Sequence, residues 1–267
     1  MEPCQASVGS FLMLMALDIG NTNIVLGLFS GKDLRFHWRI STRREGTPDE
    51  YSILIEVFFS QSRIQRREVN AAVISSVVPP LQATLKEMLE KHFSLTPLLI
   101  EPGIKTGMPI LYDNPKEVGA DRIVNAVAAV ERYGKPMIVV DFGTATTFDV
   151  ISERGEYLGG AIAPGINISA EALFERAAKL PRIDIARPRE TIGRSTVASM
   201  QSGLYYGYLS LVEGMLARIK EEMSVAPLVV ATGGLAHLIV GNSPWIDHID
   251  PLLTLEGLRI IYDRNQA

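Results

Sequence analysis

The chain has a single cysteine, Cys4, so no intrachain disulfide is possible and a reducing compartment is the expected setting. Its four histidines, His37, His92, His237 and His248, are scattered without ligand spacing, which argues against a zinc or other His-based metal centre. There is no excess of positive charge. A net charge of −4 leaves no basic stripe for nucleic acid or an anionic membrane, and the local pairs of arginines read as solvated helix ends or loops. No apolar run approaches the roughly 18 to 20 residues of a membrane span. The apolar start lacks a basic leader and continues into Asp18, so it reads as a strand and not a signal peptide, with residues 1–12 as an extension of little role and the cytoplasm as the expected location. Also missing is a Walker-type phosphate loop with its lysine.

What remains is an ordinary globular composition, 47% hydrophobic and 21% charged, and at 267 residues it has room for about two domains. The strongest positive signal is a strand-and-turn pattern that occurs twice: DIGNTN at residues 18–23 and DFGTAT at residues 141–146. Each follows an apolar run and leads into another, so each reads as a β-hairpin with an aspartate at the tip of its first strand. Glycine lets the backbone approach a ligand closely, and the Asn and Thr residues add short donors beside the main-chain amides. The aspartate is placed to hold a hydrated cation against phosphates. Taken singly, such a turn is often just a hairpin connection. Its repetition, with a third glycine turn in VVATGGLA at residues 229–236, points to two related halves that grip one nucleotide, with Gly233 and Gly234 close to a flat ligand.

The order of elements agrees. A third strand is expected over residues 33–42, where Leu34, Phe36, Trp38 and Ile40 alternate. A helix from Thr47-Pro48 through Phe59, a strand over 71–78, a helix over 81–92 and a short strand over 98–101 follow. The Gly, Pro, Asn and Asp of residues 102–118 suggest a domain junction, giving domains 1–118 and 119–267. The second half repeats the scheme: a helix over 121–132, strands over 137–140, 147–152 and 156–163, helices over 167–179 and 196–223, a strand over 228–231 and a closing element over 252–262. Two mixed α/β domains with a cleft is the architecture this order suits.

Tip aspartates on two three-stranded openings, with a late glycine turn, resemble the fold shared by actin, sugar kinases and Hsp70 ATPase domains, which implies two ribonuclease-H-like domains around a nucleotide cleft. A finer resemblance rests on five segments in order: DIGNTNIVLGLF, YDNP at residues 112–115, GADRIVNA at 119–126, DFGTATTFD at 141–149 and GGAIAPG at 159–165. Together they are similar to the type III pantothenate kinases. The resemblance implies phosphate transfer from ATP to the primary hydroxyl of pantothenate, the first step of coenzyme A synthesis. It implies ATP contacts at Asp18, Ile19, Gly20, Asn21, Thr22, Asn23, Ile24, Val25 and Thr144, with Mg²⁺ held by Asp18 through water. It implies a monovalent cation, K⁺ or NH₄⁺, at Asp141, and pantothenate contacts at Tyr112, Gly119, Ala120, Asp121, Arg122 and Thr196.

Asp121 is the candidate general base, beside Arg122, whose planar guanidinium suits the substrate carboxylate. From the residues alone, a helix-capping Asp121 and a surface ion pair at Arg122 stay open as the plainer alternative. The family is dimeric, and the broad apolar surface of the helix from Thr196 gives that weak independent support. Two other readings compete. One is a nucleotide-binding transcriptional regulator of the same fold with little catalysis, disfavoured by the complete set of aspartates; the other is another phosphatase or small-molecule kinase, which has no reason to carry GADR and YDNP.

Overall fold

A computed structural model describes residues 12–266. The expected N-terminal extension therefore falls, but for Leu12, outside the described residues, as does Cys4. Two compact units emerge: one runs to Ile104 and takes in the chain from Leu258 onward, and the other is Lys105–Gly257.

The first unit is built on a five-stranded sheet. β1 (Met13–Ile19), β2 (Asn23–Ser30) and β3 (Asp33–Ser41) form an antiparallel meander, and β4 (Val69–Ser76) lies parallel to β1 on its other side, followed by β5 (Leu98–Leu99). The order is β3-β2-β1-β4-β5. α1 (Pro48–Ser62) and α2 (Pro79–Met88) make the crossovers. One sheet face, carrying Leu17, Ile19, Ile24, Leu26 and Leu28, closes on Tyr51, Ile55 and Phe59 of α1 and on Leu81, Leu85 and Met88 of α2. β3 alternates as its sequence dictates, with Leu34, Phe36, Trp38 and Ile40 turned inward and the residues between them exposed. α1 starts with a capping box: Thr47 Oγ1 accepts the Glu50 N–H, and the Glu50 carboxylate accepts the Thr47 N–H. α2 begins at Pro79, two residues before the expected start, because proline at the first helical position sacrifices no hydrogen bond.

The second unit repeats the plan. β6 (Met137–Phe142), β7 (Ala145–Ile151) and β8 (Tyr157–Pro164) form the meander, and β9 (Leu228–Gly233) lies parallel to β6, followed by β10 (His248–Ile249), giving β10-β9-β6-β7-β8. α3 (Ala120–Tyr133) precedes this sheet, and α4 (Ile166–Arg176), α5 (Thr196–Glu222), α6 (Ala236–Val240) and α7 (Leu253–Gln266) follow within the chain. Ile138, Val140, Phe142 and Phe148 pack with Leu204, Tyr205, Tyr208 and Val212 of α5. β9 runs two residues past its expected end because Thr232 and Gly233 still pair with Asp141 and Phe142. α6 and β10 were not expected; at five and two residues they are too short to show a period.

The unit boundary differs from the expected junction at residue 118 for a definable reason. Leu111 N donates to Tyr157 O and Tyr157 N donates to Pro109 O, so this segment is stitched to β8 and goes with the second unit. The division at the other end falls inside α7, whose Arg259 guanidinium lies over the Phe29 ring of β2. Among the described residues, no helix is long and apolar enough to cross a membrane.

Candidate active site

The first hairpin turns at Gly20–Asn23, where Gly20 N donates to Asn23 O at 3.0 Å. Asp18 is half-buried, paired in register with Val25 on one side and Ser75 on the other. Ile19 and Ile24 bury their side chains in the core, so a ligand could meet them through backbone alone. The segment after β3 braces the turn. Thr42 Oγ1 donates to Gly20 O at 2.7 Å, Thr42 N to Thr22 O at 3.0 Å, and Arg44 Nη2 to Asn21 Oδ1 at 3.2 Å. Asn21 and Thr22 are left exposed at the tip.

The second hairpin is one residue tighter. Asp141 pairs with Thr147 and Phe142 with Thr146, and Gly143 N reaches Ala145 O at 3.1 Å. Asp141 is held from α3: Asn125 Nδ2 donates to Asp141 Oδ2 at 3.1 Å, and Thr254 Oγ1 fixes the Asn125 amide by donating to its Oδ1 at 2.7 Å. Gly233 ends β9 against the other carboxylate oxygen. Its φ is +92°, and a Cβ there would stand 2.6 Å from Asp141 Oδ1, so any side chain would press on that carboxylate oxygen.

Between Gly119 and Asn125, the first turns of α3 carry the candidate chemistry. Gly119 occupies the N-cap without a side chain, and Asp121 Oδ1 accepts the Arg122 N–H at 2.8 Å. Burial pushes the Asp121 carboxyl above its ordinary value, with the Arg122 amide and charge pulling it back in part. A base raised in this way holds a proton more strongly than a surface aspartate.

Arg122 is not the exposed ion pair of the plainer alternative. It is 8% exposed, and its Nε donates to Asp149 Oδ1 at 2.6 Å, with Asp149 fully buried on β7. Tyr157 OH donates to the same oxygen at 2.7 Å, and Thr147 Oγ1 to Asp149 Oδ2 at 3.2 Å. Burial pushes the Asp149 carboxyl up, but these three donors favour the ionised form, since an ionised carboxylate accepts and does not donate. Tyr157 is raised too, by burial and the adjacent carboxylate, and stays protonated. Arg122 Nη2, by contrast, is buried with no partner among the described residues. Such a donor costs about 1–3 kcal/mol until something accepts from it.

Strand β8 packs closely against that nitrogen. A Cβ on Gly160 would lie 3.1 Å from Arg122 Nη2 and 1.7 Å from Phe148 O, so the strand passes where no side chain fits. The Tyr112 ring lies over Gly159, 6.5 Å from the Tyr157 ring centre. Tyr112, Gly119, Ala120, Asp121 and Arg122 are thus gathered on the second unit. Thr196 is not with them. It opens α5 on another hollow, lined with Leu173, Leu180, Gly193, Ser199, Met200 and Leu204 and by none of those residues.

Asp149, Tyr157, Asn125 and Thr254 escaped the sequence reading. For two of them a signal was available: Asn125 falls four residues after Asp121 on one helical face, and Asp149 is a lone charge within the apolar run of β7.

Two sheets of the same strand order, each a meander extended by parallel strands, with an aspartate at the tip of each first hairpin, define a protein of the actin, sugar kinase and Hsp70 class with two ribonuclease-H-like domains. A Campylobacter jejuni protein described as a Baf family transcriptional activator is similar at a TM-score of 0.60 and 20% identity, over 94% of this chain and 98% of that one. Component A of an Acidaminococcus fermentans (R)-2-hydroxyglutaryl-CoA dehydratase is similar at 0.52 and 14%, over 96% and 98%. At these identities the likeness shows the fold alone.

Sequence narrows it further. The profile of the type III pantothenate kinases matches residues 14–218. A type III pantothenate kinase from Myxococcus xanthus is 59% identical over 96% of this chain and all of that one, and one from Moorella thermoacetica 56% over 95% and all. The chain belongs to the type III pantothenate kinase family.

Proposed function

We propose that this protein transfers the γ-phosphoryl group of ATP to the primary hydroxyl of pantothenate, giving 4′-phosphopantothenate and ADP. The observation that carries the reading is the start of α3, where a half-buried, base-strengthened Asp121 adjoins an arginine whose Nη2 lacks an acceptor among the described residues. Arg122 would receive the substrate carboxylate and Tyr112 flank its chain. Asp121 would take the proton of the hydroxyl as its oxygen bonds to phosphorus and the bond from phosphorus to the ADP oxygen breaks. In a loose transition state proton transfer comes late, so a moderately strengthened carboxylate suffices.

The Asp18 hairpin would receive the ATP phosphates through Asn21, Thr22, Asn23 and the backbone of Ile19, Gly20, Ile24 and Val25. Asp18 would hold Mg²⁺ through water, since that ion tends to keep several waters and take only one or two carboxylates. When bound, that ion offsets phosphate charge. Asp141, beside the side-chain-free Gly233, would hold K⁺ or NH₄⁺, and Thr144 a phosphate oxygen.

A homodimer accounts for two further features. α5 exposes Gly203, Gly207, Ser210 and Gly214 along one side, with open space at each glycine, as a close helix pair needs. Thr196, remote in lining from the Arg122 cluster, would then serve the pantothenate site of a second subunit. A cytoplasmic location fits a lone cysteine and a metabolic kinase. The regulator reading is not favoured, because a likeness at 20% identity shows the fold alone and none of the expected aspartates is missing.

The test is turnover of pantothenate with Mg-ATP, in parallel with K⁺ and with Na⁺ as the sole monovalent ion, with sedimentation of the same sample for its mass. Turnover that needs K⁺ supports both the kinase and the Asp141 site. Turnover indifferent to the ion removes the Asp141 role, no turnover in any salt removes the kinase, and a monomeric mass removes the dimer.

A further inference from the structure

We propose that Asp149 is a positioning residue for substrate recognition: it anchors Arg122 through Nε so that Nη2 is already aimed, and already desolvated, for the carboxylate of pantothenate. This rests on the reading of Arg122 given above. Three observations carry it. Asp149 is fully buried yet receives three donors, from Arg122, Tyr157 and Thr147, so its own position is fixed from three directions. Arg122 spends Nε on that carboxylate and keeps Nη2 buried without a partner, so the guanidinium has one committed edge and one waiting donor. Gly160 brings the backbone of β8 to within a Cβ's reach of Nη2, so that end of the guanidinium is held in place by packing as well as by Asp149.

The arrangement has a consequence for specificity. Arg122 meets its substrate with its charge largely balanced by Asp149, so what it offers is a directed hydrogen bond more than an unbalanced charge. An arginine left to swing on four rotors would have to be ordered by each substrate molecule; here the ordering is done on folding. Binding of the carboxylate is present in ground and transition states alike, so its loss falls on KM and not on kcat.

The experiment compares Asp149→Ala, Asp149→Asn and Arg122→Ala on two acceptors: pantothenate, and the same molecule with a neutral hydroxymethyl group in place of the carboxylate. For Asp149→Ala, KM for pantothenate should rise about tenfold or more, with kcat, KM for ATP and kcat/KM for the neutral acceptor each within about threefold of wild type. Asp149→Asn should restore KM for pantothenate, because its amide oxygen still accepts from Nε and the lost charge does not repel an anion. Equal losses on both acceptors, or an Asn variant as poor as the Ala variant, overturn the positioning role. Arg122→Ala separates the two ideas: if it does not discriminate against the carboxylate, the Arg122 reading fails and takes this one with it. If it discriminates and Asp149→Ala does not, this inference alone fails. Should the Ala variant not fold, nitrogen-15 spectra of wild type decide. The Arg122 Nε–H must be slow to exchange in the free protein and Nη2–H become protected when pantothenate binds; a fast-exchanging Nε–H in the free protein overturns the proposal.

Discussion

Aligned on Asp18 and Asp141, the two sheets can be compared position by position. Ala16 and Gly27 face each other across β1 and β2 where the second unit has Val139 and Asp149. One strand further, Gly27 meets the exposed His37, whereas Asp149 meets Gly160. The first unit thus has a vanishing side chain where the second buries a carboxylate, and an ordinary surface residue where the second admits only hydrogen. Helix starts differ likewise: α1 opens with a full capping box from Thr47, α3 with a bare Gly119. The same backbone plan is used in two ways. Among the described residues the first unit buries no charged side chain on its strands, while the second carries an ionic network into its sheet face.

The largest break in this comparison should come from Asp121→Asn. If Asp121 is the base, kcat falls by about 10²–10⁴, the span of general-base contributions, and ATP still binds. Stability should not fall with it. Burial raises the Asp121 carboxyl in the folded state, so its contribution to stability is full below the unfolded value of 3.8 and is lost as pH rises through the folded value. Thermal melts should therefore find the variant equal to or more stable than wild type at neutral pH, with the difference shrinking in acid. The acid limb of wild-type kcat/KM should likewise lie above the ordinary carboxylate range. Wild-type-like turnover would remove Asp121 from the chemistry.

The next effect is structural and tests the register equivalence itself. Gly160→Ala would put its Cβ 1.7 Å from Phe148 O, and the strands must part to admit it. A loss of about 3 kcal/mol is expected by chemical denaturation, against less than about 0.5 kcal/mol for His37→Ala at the corresponding exposed position. Similar costs at both positions would mean that the second sheet is not specialised there.

How much of this was legible follows from where each constraint acts. The strands, both hairpins and the helix start at Thr47-Pro48 were readable because alternation, tip chemistry and proline at the first turn are local signals. Asp121 and Arg122 were readable as a pair, but not what Arg122 does: its Nε partner is 27 residues away and reaches it through β-sheet register. Asp149 could have been suspected as a charge within an apolar strand, whereas Thr254 could not, since its tie to Asn125 spans 129 residues and leaves no local mark. The junction near residue 118 follows from a Gly- and Pro-rich segment that looks like a linker, whereas its backbone at Pro109 and Leu111 is paired to Tyr157 and groups with the second unit.

The smallest effects should separate the two helix starts. Thr47→Ala removes the hydroxyl half of the α1 capping box, leaving the residue-47 N–H on Glu50, and should cost about 1 kcal/mol, with steady-state kinetics unchanged. Gly119→Ala should do the reverse. Gly119 has φ −56°, which alanine adopts freely, so the backbone is not strained; the added Cβ instead falls 2.6 Å from Asp121 Oδ1 and displaces the carboxylate. A displaced base loses alignment with the hydroxyl, and a fall of about tenfold in kcat with little change in melting temperature is expected. If Gly119→Ala melted early and turned over normally, the bare N-cap of α3 would be a packing requirement, and the contrast between a helix capped for stability and one left open for chemistry would not hold.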